Sequence, residues 1–244
     1  MRNQARQLDP DLEIARGQMY AFFAAVLLNR PDQNMLAGLL SEPALSSLRM
    51  VFSDHPACTN LTRLAGDYSQ GLCNDEDFLL DYEALFRVPG DFYTHPYESA
   101  YLTAGEGGRR KGVPSLDPNR TRRVIAAYQR LGLSPGDAFG EQPDHIGVEL
   151  DFMSWLCHSI AEALQNGDTE EALRLSAEGE LFAGEHLLGW SDGCLSKIED
   201  NAATVFYRCI AALAKSFLVW EQERNLSVIL SDNGGGAITR CLRT

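Results

Sequence analysis

Apolar side chains recur three and four residues apart through most of the chain, the spacing that lines one face of an α-helix. The first stripe, Leu12, Ala15, Met19, Phe22, Phe23, Val26 and Leu27, follows Asp9-Pro10-Asp11 and stops before Pro31. Asp9 is placed to cap this helix, proline suits its first position, and the acids favour the positive end of its dipole. Shorter helices are expected over Gln33 to Leu40, Glu42 to Phe52 and Leu61 to Gln70, and another over Asp75 to Phe86. A proline- and aromatic-rich run, Leu85 to Tyr101, interrupts the pattern, and Gly105 to Pro118 has no periodicity at all. The stripe resumes over Arg120 to Leu131 and again over Ile146, Leu150, Met153, Cys157, Ile160 and Leu164, where Asp144 is the expected cap and Asn166-Gly167 the stop. Asp168-Thr169-Glu170-Glu171 resembles a capping box opening a helix to about Leu188. Asp200 is the expected cap of a last long helix carrying Val205, Phe206, Cys209, Ile210, Leu213, Phe217 and Trp220.

Nothing alternates with period two for long enough to make a strand, so the expected fold is all-α, a bundle of long helices. The Gly/Pro-rich stretch 132–142 reads as a hinge between a larger N-terminal helical region, 1–131, and a smaller C-terminal one, 143–230. The end, 231–244, holds three consecutive glycines and no apolar face, and reads as a flexible tail. A hinge of this kind permits a homodimer by domain swapping as well as a monomer.

Composition narrows the function more than the fold. The 244 residues carry a formal charge of −13, which argues against nucleic acid, since a phosphate backbone is bound by a Lys/Arg surplus. A basic peptide is the better electrostatic partner, although an acidic surface that merely keeps the chain soluble is the plainer reading of charge alone. Six cysteines without a C-x-x-C pair, several inside helical stripes, suit free thiols in a reducing cytoplasm. The most apolar run, Met19 to Leu28, is too short for a membrane span, and the acids before it do not resemble a secretory signal.

Short catalytic signatures are missing: there is no P-loop, no G-x-S-x-G elbow, no H-E-x-x-H and no E-x-x-H pair. No cofactor motif is found either. What remains is Asp144, His145 and Glu149 at one helix start, with His95 and Glu98 as possible neighbours. His145 and Glu149 stand four apart and can share a face, as two metal ligands of a helical hydrolase would. A plainer reading makes Asp144 a cap and His145 the partner of a nearby loop. In a third, the carboxylates meet an incoming cation. Phe92, Tyr93, Tyr97 and Tyr101 divide the same way, between covering a core and lining an amphipathic groove.

Taken together, Tyr82-x-x-Leu85-Phe86-x-x-Pro89, Pro96-Tyr97-Glu98-Ser99-x-Tyr101, Pro143-Asp144-His145-x-x-x-Glu149-Leu150-x-Phe152-Met153, Phe182-x-x-x-His186-Leu187-x-x-Trp190 and Phe206-Tyr207 resemble, in order and spacing, the TorD/DmsD/NarJ family of redox-enzyme maturation chaperones. The resemblance implies an all-helical, cytoplasmic protein without catalysis. It implies binding to the precursor of a molybdenum-cofactor oxidoreductase through a twin-arginine signal peptide, or, in the NarJ-like branch, service to nitrate reductase. By position, it implies a peptide site with Leu85, Phe86, Pro96, Tyr97 and Tyr101 as its apolar part and Asp144 and His145 as its polar part. A leader with two guanidinium groups ahead of an apolar stretch also needs carboxylates beside a groove, for which Asp91, Glu98, Asp144, Glu149 and Asp151 are available.

Overall fold

In the computed structural model, residues 8–102, 116–134 and 141–232 are described, the last six through their backbone alone. Residues 103–115, which hold most of the aperiodic stretch Gly105 to Pro118, the middle of the expected hinge (135–140) and the tail beyond Asp232 lie outside the described residues. The described chain forms eleven α-helices and no strand, as an all-α fold requires. They are α1 (Pro10–Leu28), α2 (Gln33–Leu39), α3 (Glu42–Phe52), α4 (Pro56–Ser69), α5 (Asp75–Tyr82), α6 (Glu98–Tyr101), α7 (Pro118–Arg130), α8 (Ile146–Gln165), α9 (Thr169–Phe182), α10 (Ser191–Asn201) and α11 (Val205–Asp232). α5 and α9 each run on into one π-helical turn, Glu83–Arg87 and Ala183–Leu187.

Helices from either side of 132–142 share one core. The most extensive packing is α1 on α8, followed by α8 on α9, α10 on α11 and α11 on α4. Two glycines bring α1 and α8 unusually close. A Cβ on Gly17 of α1 would stand 2.6 Å from the His158 ring of α8, and one on Gly147 of α8 would stand 2.5 Å from Leu28 Cγ of α1. Each helix leaves a notch where the other presents a bulky side chain. Rings fill the space between the remaining helices, with Tyr20, Phe23 and Phe217 packed together, Tyr82 and Phe86 against Tyr207, and Tyr128 against Phe152 and Phe182.

Four local expectations need correction. Along the first half of α1, Leu12 and Ala15 face solvent, while Glu13, Arg16, Gly17 and Tyr20 face the core. An ion network decides this orientation: Arg16 donates from Nε and Nη2 to both carboxylate oxygens of Glu221 at 2.7 and 2.8 Å, and pairs with Glu13 as well. A paired, hydrogen-bonded charge tolerates burial that a lone one would not. Second, α4 starts at Pro56 rather than Leu61, because His55 caps it through Nδ1. Third, Asp144 does not cap α8; His145 does, its Nδ1 accepting from Gly147 N at 3.0 Å. Fourth, Asp200 lies inside α10 and does not cap α11. The turn into α11 is held instead by Asp81, which accepts from Ala203 N, Thr204 N and Thr204 Oγ1 at 2.6–2.9 Å.

The buried network makes a sharp prediction. Arg16→Ala removes the only guanidinium bonded to both Glu13 and Glu221 among the described residues, so it should cost about 3–5 kcal/mol in urea denaturation, the usual penalty for stranding a buried charge.

Candidate functional site

The site begins where the irregular loop meets the start of α8. Thr94 turns the loop inward: its amide and hydroxyl both donate to Leu85 O at 2.9 Å, and Tyr101 Oη donates to Thr94 O at 2.5 Å. His95 follows with φ +51, a left-handed conformation that swings the chain around. Residues 96–98 then pair antiparallel with 144–146, Ile146 N donating to Pro96 O and Glu98 N to Asp144 O, both at 2.9 Å. The Asp144 carboxylate accepts from Ser99 N at 3.0 Å. Asp144 is therefore a helix cap, but of α6, a helix in another part of the sequence.

This pairing gathers three carboxyl groups in the interior. Glu98 and Glu149 are 0% exposed and Asp144 is 1% exposed. Glu98 Oε2 lies 3.0 Å from His186 Nδ1, and its Oε1 faces the Arg120 guanidinium of α7 at 3.6 Å. Trp190 Nε1 donates to Glu149 Oε2 at 3.1 Å. Burial, reinforced by the nearby Glu98 and Asp144 and opposed by the Trp190 hydrogen bond, pushes the Glu149 carboxyl well above the usual carboxylate range. Burial, with a smaller contribution from Arg87, pulls His145 down to about 3, so its imidazole is neutral at pH 7.

Of the nine residues expected in the peptide site, Pro96, Tyr97, Glu98, Asp144 and His145 meet at this pairing, while the Phe86 ring packs on Tyr82 and Tyr207, and most of the nine lie inside. Leu85, Phe86, Pro96, Glu98, Asp144, His145 and Glu149 are buried, and only Tyr97 and Tyr101 are half-exposed. The Tyr97 ring stands edge-on to His145 at 5.3 Å, and its hydroxyl donates to Glu141 Oε2 at 3.2 Å, while Glu141 also pairs with Arg87. Tyr101 packs on Trp190 at 5.4 Å under Lys197 Nζ. Above them the loop presents exposed Val88, Asp91 and Phe92 and half-buried Tyr93. Asp151, the remaining acid expected at the rim, is half-buried.

His145 Nδ1 is taken by Gly147 N and Glu149 Oε2 by Trp190 Nε1. No group of three or more His, Cys, Asp or Glu among the described residues is placed to hold a metal. Arg120, Glu141 and Arg87 escaped sequence reasoning. Each meets its partner across at least 22 residues of chain, and none belongs to a local pattern that marks it.

A family model described as nitrate reductase delta subunit matches residues 56–196, which include the whole loop, the start of α8, Arg120, His186 and Trp190. A chaperone protein TorD of Aeromonas salmonicida is 28% identical over 178 residues, covering 72% of this chain and 74% of its own. The chaperone protein YcdY of Escherichia coli is 30% identical over 164 residues, with 66% and 71% covered. A selenate reductase assembly chaperone of Thauera selenatis is 29% identical over 103 residues, or 38% of this chain and about half (52%) of its own.

Two pH dependences follow from the buried pair. His145, lowered from 6.5 to about 3, contributes stability that is complete above pH 6.5 and lost as pH falls toward 3. His145→Asn keeps a capping side chain without the titration, and should flatten the acid loss by about 1.4 kcal/mol per pH unit in thermal or urea melts. Glu149 has the opposite sign: its folded value is raised above 4.5, so its contribution is complete below pH 4.5 and is lost as pH rises toward the folded value. Glu149→Gln should flatten the decline from about pH 5 upward, measured the same way.

Proposed function

The chain belongs to the nitrate reductase delta subunit family, that of the TorD and NarJ chaperones, and on that premise we propose that it is a dedicated chaperone of a molybdenum-cofactor oxidoreductase. In this reading it binds the twin-arginine signal peptide of the precursor in the cytoplasm and holds it until the cofactor is inserted, before export. The observation that carries the reading is the loop 88–97. It presents Val88, Phe92, Tyr93 and Tyr97 at the surface, and its far end is pinned over the carboxyl groups of Glu98, Asp144 and Glu149.

The chemistry matches what such a leader offers. Its apolar stretch needs an aromatic surface, and its guanidinium groups need carboxylates that already lie in a poorly solvated place, where charge-assisted bonds are strongest. Tyr97 and Tyr101 are the half-exposed members of the proposed site. Leu85, Phe86, Pro96, Asp144, His145 and Glu149 hold the loop in shape from beneath, so that little ordering is left for the moment of binding. The net charge of −13 raises the encounter rate with a basic leader more than the final affinity. No helix among the described residues is long and apolar enough to cross a membrane. Exchange of the part after 132–142 between two copies would re-form the α1–α8 packing in trans, giving the swapped homodimer as a second form.

Isothermal titration with a synthetic leader, two consecutive arginines followed by an apolar run, tests the site. Tyr97→Ala should lose about 1–3 kcal/mol of binding free energy if the ring is an anchor, while the fold, judged by far-UV circular dichroism, is retained. Unchanged affinity in that variant would sink the proposed site.

A further inference from the structure

Glu98 is unusual among the buried acids in having one oxygen that is faced by a cation yet not bonded to it. Its side chain is 0% exposed, Oε2 is taken by His186, and Oε1 has no hydrogen-bond partner among the described residues. Arg120 stands 3.6 Å from Oε1, close enough for attraction but beyond hydrogen-bond length. A guanidinium permanently built into an interior looks different in this same protein, where Arg16 meets Glu221 with two bonds of 2.7 and 2.8 Å and both side chains are sealed from water.

Arg120 is also poorly placed to stay. It is 29% exposed, so it reaches the acid from the surface and leaves a route for solvent. It lies in the first turn of α7, after the Asp117 cap, Pro118 and Asn119. A cation there sits at the positive end of the helix dipole, which opposes it. Among the described residues, Glu98 is its only ion-pair partner, so little besides that attraction holds the side chain in.

We propose that Arg120 is an internal stand-in for an arginine of the leader: its guanidinium occupies the seat beside Glu98 Oε1 in the empty chaperone and swings out to solvent when a leader guanidinium takes that place with full hydrogen bonds. This rests on the peptide-binding reading above and adds to it a named acceptor and a built-in competitor. The exchange keeps the buried carboxylate neutralised in both states, so neither state carries the cost of an unpaired interior charge. It also sets a threshold, because a peptide without a guanidinium has nothing to offer Glu98 in place of Arg120, and the apparent affinity of any leader is reduced by the fraction of time the seat is taken.

The test uses the full chain and two fluorescent 20-residue peptides, one with two consecutive arginines before an apolar run and one with glutamines in their place, read by anisotropy. The wild type should prefer the arginine peptide. Arg120→Gln should bind it about tenfold more tightly, as expected if the seat is taken roughly nine-tenths of the time, and the peptide should raise the melting temperature of this variant more than that of the wild type. Because Arg120→Gln alone strands Glu98, the paired variant Glu98→Gln/Arg120→Gln provides a neutral, folded control, and it should lose the preference for arginine over glutamine. If the wild type shows no preference, the peptide-binding reading and this inference fall together. If the wild type prefers arginine but Arg120→Gln binds no more tightly, or the paired variant keeps the preference, Arg120 is a fixed counter-ion and only the inference falls.

Discussion

The short antiparallel contact between residues 96–98 and 144–146 is what the functional end of the molecule depends on. Its two backbone bonds and the Asp144 carboxylate on Ser99 N together do what neither segment does alone. A four-residue helix such as α6 has no stability of its own, since the first turn costs more in ordered dihedrals than one hydrogen bond returns. Asp144 supplies the cap that lets it form. Because α6 and α8 both begin at this contact, Glu98, at the first position of α6, and Glu149, in the first turn of α8, are brought inside beside Asp144.

The interior handles its two groups of charges differently. Around Arg16 the acids are matched by a guanidinium that bonds to both of them, and α1 turns its polar side inward to make that match. Around Glu98 and Glu149 the accommodation is partial. Burial pushes the Glu149 carboxyl up, Glu98 shares a histidine and a distant arginine, and each retains an oxygen without a hydrogen-bond partner among the described residues. Buried polar groups left unsatisfied weaken a fold. Two of them, Glu98 Oε1 and Glu149 Oε1, lie beneath the exposed aromatic loop.

The loop itself is stiffened from below. Thr94 fastens to Leu85, Tyr101 to Thr94, and Tyr128 Oη to Pro143 O, so the aromatic surface is presented by a frame whose hydrogen bonds are internal. Close α1–α8 packing through Gly17 and Gly147 fixes the start of α8 from the opposite side. The loop is thereby held in one shape from beneath and from the α1 side.

The sequence alone settles the helical class and most helix bounds, because apolar periodicity, proline and glycine stops and side-chain caps act within a few residues of each other. Pro10, Asp168 and Gly167 behave as their local chemistry dictates. Partner choice is another matter. Asp144 is next to α8 in sequence yet caps α6, Glu13 and Arg16 lie on the inner face of α1 because Glu221 stands opposite, and Asp81 rather than Asp200 holds the turn into α11. A carboxylate has the same capping and pairing capacity wherever it stands in the chain. Which donor it meets is decided by packing across 45 to 205 residues of separation, and so is the fact that the aromatic and acidic residues of Leu85 to Glu149 form a buried floor with only part of the loop above it at the surface.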